Sequence, residues 1–477
     1  MKIQSQSSRR RFLRQLAVLA GGSTLLSTQT QLGLVNSALA ADYSNLSDHK
    51  SLVCIFLFGG NDSLNNVVPY TASEYQKYAT VRQNMAIDRS QLLPINNDQQ
   101  GFHPSLADVR TLYNEGKVAI VPNVGTLFEP TTRDDYIDNL EGNNFTAQLP
   151  PNLFSHSHQQ ETWQTNQPSE PGSAYGGWGG LLLDRFIAAN TDPAIPATFS
   201  TAGQNFWPTG DMVRSFVLRG GRGIGTFEHF DDSNWPPQET SRSQAWRAIL
   251  DMPRSDLLLD QYAQTLRGTR YRSELLRDAL EQAPDPQTPY DSNNPLAEQL
   301  RTIAKMISIR DTLGLKRQIF FASTGGYDTH ANQQGQQPGL LSRLNHAMFS
   351  FQRTLEELNL AQTVTTFTAS EFGRTMTSNG DGTDHAWAAD YLVMGGQVNG
   401  GQIHGDPIAY TAQAQGQHWG QPLFGPNDVG SGRFVPKYAT DQYGATLAKW
   451  LGLDAADANA VFPNLNKFPL KDLGFMA

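Results

Sequence analysis

The sequence predicts an α/β fold built on one large, mainly parallel β-sheet covered by helices. Two observations carry this. Ser51–Phe58 is a continuous apolar, β-rich run, as expected of a strand buried on both faces of a parallel sheet. Strand-like runs then alternate with helical periodicity along most of the chain, the pattern that places helices on both faces of such a sheet.

The first 40 residues read as an export leader that lies outside the fold. Lys2, Arg9, Arg10, Arg11 and Arg14 give it a positive front without an acid, Leu16 to Leu26 is a short apolar stretch, and Ala38-Leu39-Ala40 supplies small residues for cleavage. Ser8-Arg9-Arg10-Arg11-Phe12-Leu13-Arg14 matches the twin-arginine pattern, which implies the twin-arginine export machinery as a partner and a periplasmic or secreted destination. The apolar run is shorter than the roughly 20 residues a bilayer span needs, so no stable membrane insertion is expected. With the leader removed, 437 residues remain and the formal charge moves from −9 to −14. An acidic chain argues against nucleic acid as a partner, and any anionic substrate must be drawn by local positive charge or metal. The one cysteine, Cys54, sits in the first apolar run, which excludes an internal disulfide and suggests a buried thiol.

The predicted elements follow in order. Ser51–Phe58 ends at Gly59-Gly60-Asn61-Asp62; a helix over Ser105–Glu115 leads through Gly116 to a strand over Lys117–Pro122. Further strands are expected at Ala197–Thr201, Arg317–Ser323, Thr363–Ala369 and Tyr391–Met394, and helices at Ser243–Met252, Leu257–Gln282 and Pro295–Leu313. Asn294-Pro295 is a cap followed by proline at the first helical position. Residues 200–300 are rich in helix and turns and read as an insertion over the sheet, so residues 41–477 are expected to form one elaborated domain.

Polar sites in open parallel sheets gather beyond the carboxyl ends of strands. Read in turn, those ends carry Asp62, then Asp328 and His330, then Glu371 and Arg374, with Asp384 and His385 in the loop before the strand at 391–394. Crowded carboxylates need a cation or a shifted protonation to coexist, and mixed Asp, Glu and His sets suit divalent ions such as zinc or manganese. Ser155, before a helix expected to run to about Thr165, stands where a helix N-terminus beside metal can activate a nucleophile. Ser157 with Gln160 fits a capping box equally well. His156 and His158 read either as ligands or as loop residues. Arg374 reads either as the holder of an anionic substrate oxygen or as a partner of Glu371.

Gly59-Gly60-Asn61-Asp62, Phe154-Ser155-His156, Gly325-Gly326-Tyr327-Asp328-Thr329-His330, Ser370-Glu371-Phe372-Gly373-Arg374-Thr375 and Gly382-Thr383-Asp384-His385 occur in this order. Together with Phe434-Val435-Pro436, Asp441-Gln442-Tyr443 and Val461-Phe462-Pro463 they resemble the exported bacterial family called domain of unknown function 1501, over roughly residues 50–470. That resemblance implies the alkaline-phosphatase-like superfamily of phosphatases, sulfatases and phosphomutases, with a metal-assisted site at the strand ends. It implies Asp62 as a metal ligand, Ser155 as the nucleophile, Asp328 and His330 as the pair holding one metal, and His385 as the late histidine that joins them. Glu371 falls where the superfamily has the Asp of an Asp-His pair, but Phe372 stands in place of the histidine, and Ala386 stands where members often carry glycine. One of two metals has thus lost a nitrogen ligand: either His156 supplies it, or that site is weak, holds a harder ion or is empty.

The sequence therefore points to an exported hydrolase of phosphate or sulfate esters. It would use one or two divalent ions (zinc, manganese or calcium) and act on an anionic small-molecule or glycan ester. The alternative is a non-catalytic metal- or glycan-binding protein, with Trp163, Trp178, Trp207, Trp387 and Trp419 as candidate sugar platforms.

Overall fold

The computed structural model describes residues 43–95, 99–142, 147–167, 176–192, 195–218 and 241–477. The leader and the 219–240 part of the expected insertion lie outside these residues. Eight strands form the central sheet: β1 (Lys50–Leu57), β2 (Val118–Gly125), β3 (Thr198–Ser200), β4 (Phe216–Val217), β5 (Arg317–Thr324), β6 (Val364–Ala369), β7 (Ala389–Gly395) and β8 (Tyr438–Ala439). Their spatial order is β8-β2-β7-β6-β1-β5-β3-β4.

All neighbouring pairs are parallel except those made by β7, which runs antiparallel to both β2 and β6. The sheet is large and mainly parallel, as the sequence predicts, and this one reversal matters for the site. The segment before a parallel strand lies at the opposite rim; before β7 it lies at the rim where its neighbours have their carboxyl ends. The sequence motifs thus converge because β6, β1 and β5 are adjacent, and because β7 beside them starts where they stop.

Helices flank this sheet. α1 (Ala72–Arg82) and α2 (Ala107–Asn114) precede β2. After it come α3 (His156–Thr165), α4 (Trp178–Arg185), α5 (Leu257–Glu281) and α6 (Pro295–Ser308). α7 (Gln333–Glu357) follows β5 and α8 (Thr440–Leu451) follows β8, and shorter helices run over Arg133–Glu141, over Ser241–Asp251 (expected at Ser243–Met252) and over Ala458–Val461. Asn294 caps α6 as predicted, its side chain accepting from the amides of Leu296 and Ala297, with Pro295 in the first turn. The helix ends at Ser308 rather than Leu313. The 25-residue α7, with Pro338 inside it, is an element the periodicity did not single out. Pro338, its sixth residue, gives up the amide bond that position would make to the Gln334 carbonyl.

The core explains how the site is held. Phe56 of β1, Phe367 of β6 and Tyr391 of β7 meet Trp163 of α3 with ring centroids 5.4, 6.4 and 6.3 Å away. Trp178 of α4 and Tyr443 of α8 close on Phe367 at 6.0 and 5.9 Å. α3 is therefore pinned to the sheet by its middle, which fixes its N-terminus above the strand ends. Four of the tryptophans proposed as sugar platforms, Trp163, Trp178, Trp207 and Trp387, are at most 1 % exposed, so they are core residues and not a binding surface. Large rings gain more from burial than a shallow site returns. Trp419 alone of the five is exposed. Cys54 is buried and unpaired, as expected. No helix among the described residues is long and apolar enough to cross a membrane.

Gly59 sets the spacing between two site loops. Its φ is +121°, and a Cβ there would lie 2.3 Å from the amide nitrogen of Asp328. Gly59→Ala is expected to lower stability by about 2–4 kcal/mol, since both the conformation and the space forbid a side chain. Chemical denaturation measures this; an unchanged midpoint would show that the two loops are not in register as described.

Candidate metal centre

Four of the sequence-predicted residues meet at the rim. Asp328 follows β5, and its Oδ1 lies 3.1 Å from Nε2 of His330 and 3.1 Å from Nε2 of His385. Its Oδ2 lies 3.3 Å from Nε2 of His156, the first residue of α3. His156, Asp328 and His385 present ligand atoms all within 4.8 Å of one another.

Each imidazole is oriented through its other nitrogen. His385 Nδ1 donates to the Phe154 carbonyl at 2.7 Å, His330 Nδ1 to Asp384 Oδ1 at 3.0 Å, and His156 Nδ1 to Glu371 Oε1 at 2.8 Å. A carbonyl and carboxylates only accept, so in the neutral rings the proton resides on Nδ1 and Nε2 turns a lone pair inward. Burial pushes His385 below the ordinary histidine range and keeps it neutral. The outcome is an electrostatic conflict: Nε2 of His330 and Nε2 of His385 face each other at 2.9 Å. Nε2 of His156 is buried with no hydrogen-bond partner. Converging lone pairs without a donor repel unless a cation or an extra proton stands between them. The grouped atoms of His156, Asp328 and His385 fit a divalent ion, with His330 Nε2 beside them and partners behind the imidazoles of the kind that tune metal sites.

The bond to Glu371 raises the pKa of His156 against the opposing effect of burial, helped by the charges of Glu371 and Asp328. Desolvation would raise Asp328, but Arg374 and His385 outweigh it and hold its carboxyl down at about 2.

The remaining candidates lie around this group. Glu371 is buried, and its Oε1 accepts from the amide of Gly59, from His156 and from Gln160 Nε2 at 2.9, 2.8 and 3.0 Å. It orients His156 and is not among the grouped ligand atoms. Asp384 does the same for His330 and also accepts from Asn379 Nδ2 at 3.0 Å. Desolvation raises Asp384, but the bonds from Asn379 and His330 prevail and hold it below the usual carboxylate range. Phe372 fills the position of the missing histidine with a ring 5.0 Å from His156 and 4.6 Å from His385. It buttresses the two imidazoles instead of binding an ion.

Asp62 is drawn elsewhere. It is buried in an ion pair with Arg82 of α1 and accepts from Gln333 Nε2. Asp62 is not among the grouped ligand atoms, and the guanidinium of Arg82 stands beside it. Arg82, 20 residues further on in the helix after that loop, has no motif signature, and only packing reveals it. Arg374 is likewise spent: Nη1 donates to Asp328 Oδ1 at 2.7 Å and to the Gly59 carbonyl at 3.2 Å, while Nε and Nη2 serve Thr383. Fully buried and with four of its five donors committed, it steadies Asp328 and is closed off from a substrate, and it makes no bond to Glu371.

Ser155 is the residue before α3, and its side chain makes no capping bond to the helix amides. Its Oγ lies 3.1 Å from His158 Nδ1 and 3.4 Å from Ser157 Oγ. Phe154 just before it adopts φ +73°, rare for a bulky residue, and its carbonyl is the one held by His385. Ser155 is thus flanked on both sides by residues that touch the centre.

With this geometry in view, the comparisons can be placed. Residues 226–420 match the family described as "Protein of unknown function (DUF1501)". That segment includes the motifs around Asp328, Glu371 and His385, while those around Asp62 and Ser155 precede it. Among solved structures the chain is similar to Ps i-CgsB in complex with k-i-k-neocarrahexaose, at 9 % identity over 87 % of this chain and 74 % of that one, TM-score 0.34. It is similar to the PsFucS1 sulfatase from Pseudoalteromonas sp., at 10 % identity over 94 % and 77 %, TM-score 0.34. A third likeness is to the lipoteichoic acid synthase LtaP from Listeria monocytogenes, at 8 % identity over 78 % and 73 %, TM-score 0.32. No curated protein matches the chain.

Because the folded pKa of His156 is raised, its contribution to stability in the metal-free protein is complete below the ordinary histidine value, about 6.5. It is lost as pH rises through the higher folded value. Glu371→Gln should therefore cost the metal-free protein more stability near pH 6 than near pH 9, measured by thermal melts of both variants. Equal losses at the two pH values would remove the His156–Glu371 pair as the cause.

Proposed function

We propose that this chain is an exported, metal-dependent hydrolase of phosphate or sulfate esters, with one zinc-like ion held by His156, Asp328, His330 and His385. The observation that carries the reading is the set of inward-facing imidazole lone pairs, each fixed from behind, next to a serine that opens a helix without capping it. Borderline ions favour nitrogen-rich sets of this kind, whereas calcium takes oxygen ligands. A bound ion would supply Lewis-acid stabilisation of charge on the ester's transferred group.

The protein's own residues do the rest. Ser155 Oγ attacks the phosphorus or sulfur centre, its proton passing to the alkoxide that leaves as the alcohol, and water then hydrolyses the serine ester to return Ser155. Asn152 Nδ2 donates to His158 Nε2 at 2.8 Å, so His158 Nδ1 carries the proton and donates to Ser155 Oγ, holding it in place. The N-terminus of α3 favours negative charge on the group that Ser155 receives. Glu371 and Asp384 keep the imidazoles in the tautomer that binds a cation, and Arg374 keeps Asp328 ionised. Phe372 and Phe154 line the group with apolar surface, which strengthens electrostatic interactions there.

The ester class and the leader agree on location. A chain that folds around its ion before export suits the twin-arginine route, which carries folded proteins, and we place its work in the periplasm or beyond.

Ser155→Ala is expected to reduce turnover of aryl phosphate or sulfate esters by about 10³-fold or more while metal content stays unchanged. The check is steady-state kinetics with elemental analysis of the same preparations. A metal-loaded wild-type protein with no turnover on either ester panel would sink the hydrolase reading. Separately, replacing Arg9 and Arg10 by lysine should leave the protein in the cytoplasm, as cell fractionation would show; unimpaired export would dismiss the twin-arginine route.

A further inference from the structure

Arg374 cannot serve an anionic substrate, yet the acidic chain needs local positive charge to hold one. The structure offers a different guanidinium at the same place, one that no motif singled out. Arg433 belongs to a tight turn, Asp428 to Phe434, closed by a bridge between those two residues. Buried Asp428 organises the turn: its carboxylate accepts from the amides of Phe424, Gly430 and Gly432 at 2.7, 2.8 and 2.9 Å. Gly432 lies so close to the segment after Arg374 that a Cβ would be 2.3 Å from that of Met376. The amide of Met376 donates to the Gly432 carbonyl at 3.1 Å. The turn is built rigidly against the centre.

The Arg433 side chain is aimed from there. Nε donates to the His385 carbonyl at 2.9 Å and Nη1 to the Gly430 carbonyl at 3.2 Å, and the guanidinium carbon lies 5.7 Å from the Phe154 ring. Nη2 makes no hydrogen bond; its nearest acid is Asp384 Oδ2 at 3.9 Å. The side chain is about a quarter exposed, at 24 %, against 0 % for Arg374. A cation with open donors is therefore held by its inner nitrogens between a metal-site histidine and the residue before Ser155.

We infer that Arg433 receives the tetrahedral oxyanion of the substrate, Nη2 donating to a non-bridging oxygen of the phosphoryl or sulfuryl group presented to Ser155. The inference deepens the hydrolase reading and rests on it for the role of Ser155. A rigidly positioned guanidinium suits this task because its planar donors match oxyanion geometry and its charge is permanent. The competing role is structural: a small rotation would pair Nη2 with Asp384 and leave nothing for a substrate.

The test is calorimetric titration of zinc-loaded protein, lacking only its leader, with inorganic phosphate and with sulfate. Arg433→Gln and Arg433→Lys are run alongside, each with metal content and melting temperature recorded. Arg433→Gln should weaken binding of the favoured oxyanion about 10- to 100-fold without loss of metal, and Arg433→Lys should recover part of it. Added guanidinium should partly restore binding to Arg433→Ala. Which of the two anions shows the effect identifies the transferred group. Wild-type affinity in Arg433→Gln, or a variant that sheds its ion and melts early, would assign Arg433 a structural role and overturn the inference. Arg433-dependent anion binding in a protein that hydrolyses no ester would uphold the anion site while rejecting the hydrolase reading, so the two fail separately.

Discussion

The confrontation of unprotonated ring nitrogens around Asp328 is the constraint to which the rest of the site answers. His330 and His385 turn Nε2 toward each other at 2.9 Å because each has its Nδ1 proton committed behind it, to Asp384 and to the Phe154 carbonyl. His156 adds a third, partnerless Nε2. The arrangement offers the rings one partner, the Asp328 carboxylate, 3.1 Å from His330 and His385 and 3.3 Å from His156. It is kept closed by groups that do not themselves face inward: Arg374 on Asp328, Glu371 on His156, and Phe372 wedged against two of the rings. Orientation from behind is what makes a loose set of side chains a site.

That support is inherited from the sheet. β6, β1 and β5 lie side by side, so the loops after them begin within reach of one another. The antiparallel β7 then delivers Asp384 and His385 to the same rim from the opposite chain direction. Close approach between the loops is possible because Gly59 has no side chain to meet the Asp328 backbone. α3 brings the last ligand, and the burial of Trp163 among sheet aromatics fixes where that helix starts.

The two arginines at the centre divide between structure and surface for a physical reason. A guanidinium that is fully buried must satisfy its donors internally, and Arg374 does so on Asp328, Gly59 and Thr383. It thereby secures the charge state of a ligand at the expense of any exchangeable contact. Arg433 sits at the edge, where water can solvate the donors the protein leaves open, so an empty position there carries no penalty of unpaired burial. The same division separates Asp62, buried against Arg82, from the carboxylate of Asp328, which remains accessible.

The sequence by itself determined the fold class, the strand-end origin of the polar motifs and the membership of Asp328, His330 and His385 in one cluster. Those follow from local signals: apolar runs fix strands, glycines mark the turns that end them, and parallel strands share a carboxyl rim. What the sequence could not decide was which charges are free. Whether Arg374 faces a substrate or Asp328, whether Asp62 faces an ion or Arg82, and whether a tryptophan lines a surface or a core depend on neighbours from other elements of the fold. Arg82, Arg433 and the reversal of β7 left no mark in the local pattern for the same reason. Pairing of long polar side chains is settled by packing and desolvation, and these exist only once the chain has folded.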